Sequence, residues 1–66
     1  MKKPIEKPVV RLVGENGNAF NIMGLASRAL RKAGADKEYI NKYLAEAKEG
    51  DYNNLLIVTM KYVEVE

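Results

Sequence analysis

The sequence predicts a small single α+β domain, ordered β-α-α-α-β, with N- and C-terminal strands paired against a helical layer. Three observations predict it. Val9-Val10-Arg11-Leu12-Val13 is strand-like and is answered near the other end by Tyr62-Val63-Glu64-Val65-Glu66. Between the two, apolar residues recur at helical spacing rather than in alternation. Gly34 and Gly50 then divide that middle into three pieces of helix length. A chain of 66 residues makes one domain, expected over residues 8–66 behind a flexible basic arm at 1–7.

So small a domain buries only about 60% of the surface its unfolded chain exposes. Small scaffolds gain support from disulfides, a metal or self-association. Cysteine and histidine are both absent, which removes the first route and the commonest soft-metal ligands. The basic start, Met1 to Lys7, lacks the apolar stretch of roughly 7–15 residues that a secretory signal carries. The longest apolar run, Leu55-Leu56-Ile57-Val58, is far short of the ~20 residues that cross a bilayer. The expectation is a soluble cytoplasmic protein without a membrane partner. A formal charge of +2 does not by itself point to nucleic acid.

Residues 1–7 hold three lysines and little to bury, hence the expected mobile arm. Pro8 opens the first strand, where a missing N–H does no harm. Alternation puts Val10 and Leu12 on the core side and Val9, Arg11 and Val13 on the other. Gly14-Glu15-Asn16-Gly17-Asn18 has two readings. Asn-Gly between apolar residues is a hairpin signature that makes residues 19–23 a second strand. Alternatively, Asn18 is the N-cap of a helix. Ile22, Leu25, Ala26, Ala29, Leu30 and Ala33 fall at helical spacing, with Phe20 and Met23 widening the stripe, and favour a helix over about 19–33 that stops at Gly34. Asp36 caps a second helix with the stripe Ile40, Tyr43, Leu44 and Ala47, ended by Gly50. Asp51 caps a third. Its β-branched Ile57, Val58 and Thr59 also allow one long strand over 55–65. A ten-residue helix ending near Met60, followed by a strand with Val63 and Val65 inward, is the favoured reading.

The pattern Val10-x-Leu12-Val13-Gly14-x-x-Gly17-Asn18-Ala19-Phe20, with Arg28-Ala29-Leu30-x-x-Ala33-Gly34, Gly50-Asp51-Tyr52 and the ending at 62–66, resembles a family of short uncharacterised proteins of bacterial and phage genomes. The resemblance covers residues 9–66. It implies a small stand-alone protein of mobile-element origin and carries over no catalytic or binding residue.

Candidate chemistry is sparse. Ser27 and Thr59 are the only hydroxyl nucleophiles of their kinds, and no histidine or cysteine can activate them. Asp36, Glu38, Glu46 and Glu49 sit at caps and on lysine-rich solvent faces, so neither catalytic residues nor a cofactor is expected. Glu15, Asn16 and Asn18 lack calcium-loop spacing and read as turn residues. Gly14-x-x-Gly17 lacks the Lys-Ser/Thr of a phosphate loop and the third glycine of a dinucleotide fingerprint. Two binding readings remain. Arg28, Arg31 and Lys32, on a helix followed by a tight turn and a second helix, suit phosphate contacts of a helix-turn-helix kind. Met23 and Tyr39 suit a protein contact, and Val63 and Val65 an unpaired sheet edge completed by a partner protein or a second copy. The favoured function is a non-catalytic accessory or adaptor module; weak nucleic-acid binding is the alternative.

Overall fold

The computed structural model describes residues 1–11 and 18–66. Its order is β1 (Val9–Val10), α1 (Ala19–Lys32), α2 (Lys37–Ala47), α3 (Tyr52–Tyr62) and β2 (Glu64–Val65), the α+β arrangement expected. Leu12, Val13 and residues 14–17, on which the hairpin, anion and turn readings fall, lie outside the described residues.

Each helix starts at an Asx cap. The side-chain oxygens of Asn18, Asp36 and Asp51 accept from the N–H groups of Asn21, Tyr39 and Asn54 at 2.8, 2.8 and 3.0 Å, satisfying a donor that a helix start leaves free. Residues 19–23 are therefore helix, not hairpin strand. α1 ends where the Gly34 and Ala35 N–H groups donate back to the carbonyls of Arg31 and Leu30. This paired closure needs a left-handed residue, and Gly34 supplies it with φ of 103°. Ala35 is thereby turned into the core. The Asn54 side-chain amide donates to the carbonyls of Glu46 and Glu49, tying the end of α2 to the start of α3.

The core follows the helical rows. Ile22, Ala26 and Leu30 from α1 meet Ile40, Tyr43 and Ala47 from α2 and Leu55, Val58 and Tyr62 from α3, closed by Val10 and Val63. Two buried hydroxyls satisfy each other there, Tyr43 Oη and Thr59 Oγ1 at 2.8 Å. Tyr62 packs edge-on against both Tyr39 and Tyr43, ring centroids 5.5 and 5.2 Å apart. Its hydroxyl donates to Glu46 Oε2 at 2.7 Å.

The strands pair in parallel, Val9 with Glu64 and Val10 with Val65. The Glu64 and Glu66 N–H groups donate to the carbonyls of Pro8 and Val10, both at 2.8 Å. A parallel pair needs a long crossover, and the three helices provide it.

Several expectations at the second strand need correction. α3 continues to Tyr62, because Tyr62, two residues beyond Met60, gains a core position and a carboxylate partner. Val63 is the extended cap of that helix, wholly buried, not a strand residue. Val65 keeps 40% of its surface exposed rather than facing inward, since it pairs with Val10 at the outermost position of a two-residue strand. Tyr52 is 46% exposed in the first turn of α3.

Residues 1–7, expected as a mobile arm, run along the α1–α2 link. The Ile5 N–H donates to the Ala33 carbonyl and the Asp36 N–H to the Lys2 carbonyl, both at 3.1 Å. The Lys2 N–H returns a bond to Asp36 Oδ2 at 2.7 Å, and the Met1 amino group lies 3.4 Å from Glu38 Oε2.

Candidate interaction surface

One face of α1 stands apart from the core. Two residues along a helix is a rotation of about 200°, so Phe20, Gly24 and Arg28 form a row opposite the buried Ile22, Ala26 and Leu30. Phe20 is 87% exposed. It does not widen the core stripe as its spacing suggested, because Ala19 and Ile22 already occupy the inward side of that first turn. Beside it a groove of about 270 Å³ lies between α1 and α2, lined by Phe20, Met23, Gly24, Ser27, Leu44 and Lys48. Met23 and Lys48 also wall an adjoining hollow of about 290 Å³ that reaches Tyr52 and Leu55. The two adjoin along Met23 and Lys48, with Asp51 on the wall of the second.

Met23, expected at a protein contact, lines both hollows, in company the sequence did not single out for contact: Phe20, Gly24, Leu44 and Tyr52. Tyr39 is not part of it. Five residues from Leu44 on α2, it lies roughly 140° away around the helix and is engaged with Tyr62. Val63 is buried and presents no surface, whereas Val65 does. The overlooked row was legible in principle: a phenylalanine two residues off the buried register, followed at i+4 and i+8 by glycine and arginine.

No family model, curated protein or solved structure matches the chain. The surface must be read from its own chemistry.

Arg28, Arg31 and Lys32 are all exposed, and α1 carries no acidic residue. Arg28 and Lys32 border a shallow hollow of about 270 Å³ together with Arg11, over Val9, Val10 and Leu25. Lys32 also borders a neighbouring one with Lys7. Arg31 lines neither. The exposed side of α2 mixes Lys37, Lys42 and Lys48 with Glu38 and Glu49.

Several polar groups are engaged in holding the fold. Thr59 is bonded to Tyr43, and burial raises the Tyr43 phenol above its ordinary value. Burial, then the hydrogen bond to Glu46, raises the Tyr62 phenol further. The backbone N–H groups of Tyr39 and Lys2 hold the Asp36 carboxyl below its ordinary value. Ser27 Oγ is buried beside the groove without a hydrogen-bond partner among the described residues. Among the described residues no cluster of three or more acidic, histidine or cysteine side chains could hold a metal, and no helix is long and apolar enough to cross a membrane.

Proposed function

We propose that this protein is a non-catalytic interaction module that works by docking another polypeptide on the outer face of α1 and the α1–α2 groove. The observation that carries the reading is Phe20. An aromatic ring 87% exposed at the mouth of an apolar groove is costly in water, and aromatic anchors beside pockets are where binding energy concentrates. Helix-in-groove docking is a common recognition mode. The resemblance of residues 10–20 to short bacterial and phage proteins favours a small accessory protein of the cytoplasm. The test is affinity capture from extract of the source organism, with wild type and Phe20→Ala, before and after nuclease. Polypeptides, including untagged copies of the chain, held by wild type, lost by Phe20→Ala and indifferent to nuclease support the reading. Identical capture by both variants sinks it.

Nucleic-acid binding stands second because of one arrangement: Lys7 and Arg11 lie with Arg28 and Lys32 around two adjoining hollows, where Glu6 is the one acidic side chain among the lining residues. Four cations from the chain start and α1 on one side could follow a phosphate backbone. Such binding would weaken about 10-fold or more between low and moderate salt, and Arg28→Ala with Lys32→Ala would flatten that slope. Fluorescence anisotropy with a labelled duplex measures both; salt-independent or absent binding removes this reading.

A further inference from the structure

We infer that the polypeptide docked on α1 is a second copy of this chain, packed as an antiparallel α1–α1 pair about a twofold axis at Gly24. The inference rests on the docking reading above and names its partner.

Gly24 begins the argument. It lies in the middle of α1, where glycine weakens a helix relative to alanine. A Cβ built on it meets nothing within 4 Å among the described residues, so none of them requires its absence. The space that glycine leaves open faces outward, in the row between Phe20 and Arg28. A residue without a side chain there lets a second backbone approach closely.

The charges of α1 choose the partner's direction. Its cations, Arg28, Arg31 and Lys32, all lie in its C-terminal half, and no acid accompanies them. A parallel copy would stack these like charges on one another. An antiparallel copy centred on Gly24 sends them to opposite ends, with residue i facing residue 48 − i. Phe20 then faces Arg28 of the second copy, each about 6 Å along the axis from Gly24. Its ring enters the hole bounded by Gly24, Ser27, Arg28 and Arg31 of that copy, the four-residue hole that a helix offers a knob. Two guanidinium groups flank the ring, a cation–π arrangement. Twofold symmetry makes the contact twice, so one exposed aromatic and one open hole per chain are both used. A 66-residue chain without cysteine gains by association the support that small scaffolds otherwise lack.

Sedimentation of the purified chain, from micromolar to about 1 mM, reads the equilibrium directly, since even millimolar affinity registers in that range. A monomer–dimer equilibrium is expected. Phe20→Ala should weaken it about 10–30-fold, and Arg28→Ala about 2–5-fold. Gly24→Gln is the decisive variant. It places a strong helix former where the monomer has room, so the dilute protein should melt at a higher temperature while dimerisation is lost. A chain monomeric throughout overturns the self-association inference, and Phe20-dependent capture of a different polypeptide would then leave the docking reading standing. A dimer that survives Gly24→Gln overturns the α1–α1 contact.

Discussion

Tyr43 and Thr59 show how one pair of residues decides whether a small core tolerates polar atoms. Their hydroxyls are both buried and bond to each other at 2.8 Å, which offsets the loss of water for each. Tyr43→Phe would leave Thr59 Oγ1 alone and should cost about 1–3 kcal/mol. Adding Thr59→Val removes the orphan, and the double variant should recover much of that loss. Urea unfolding of the four proteins in the cycle measures the coupling; independent, additive effects would contradict the pairing. Tyr43 and Tyr62 also set an alkaline limit. Both phenols have folded pKa values raised above the ordinary 10.0, chiefly by burial. The folded state thus holds protons that the unfolded chain releases first. Their contribution is complete below pH ~10 and is lost as pH rises beyond it toward the folded values. Thermal melts between pH 8 and 12, with tyrosinate absorbance, should show stability falling above about pH 10, less steeply in Tyr62→Phe.

At the scale of elements, caps and glycines decide where helices begin and end. Asn18→Ala removes the acceptor for the Asn21 N–H and should destabilise the fold by about 1 kcal/mol. Gly34→Ala should cost about 1 kcal/mol or more, because φ of 103° strains any side chain. Substituting Gly24, where space is open, should act in the opposite direction. Denaturant midpoints of the variants check these signs. All three caps could be read from residue type and spacing, as could Gly34 as the stop, because capping is a local interaction between residues three apart. The end of α3 was not legible. Residues 57–59 are β-branched and locally ambiguous, and what carries the helix to Tyr62 is contact with Tyr43, Tyr39 and Glu46, at 16 or more residues' separation.

For the molecule as a whole, the start of the chain closes the structure on two sides. Residues 1–5 bond to Ala33 and Asp36 at the α1–α2 link, and Pro8 to Val10 bond to β2. Deleting residues 1–5 removes the Lys2 N–H that helps hold Asp36 ionised. The truncated protein should melt at a lower temperature, and its Asp36 carboxyl should titrate at higher pH, closer to the ordinary 3.8. The sign follows from linkage. A lowered carboxylate pKa contributes stability above the unfolded value that disappears as pH falls through the folded one. Carboxyl NMR titration of both lengths measures the shift; an unchanged Asp36 would mean that the Lys2 bond has no energetic weight.

The sequence by itself determined the order of elements, the three caps, the inward rows of α1 and α2 and the exposure of the α1 cations. Each depends on period or on neighbours within one turn, which the chain carries locally. Only the tertiary structure decided that the strands run parallel, that Val63 is buried while Val65 is not, and that Tyr52 faces out. It also decided that Tyr39 leaves Met23 for Tyr62, and that Phe20 stands at the mouth of a groove whose far wall comes from α2. These depend on which helices meet and at what depth, and that choice belongs to packing among residues far apart in the chain.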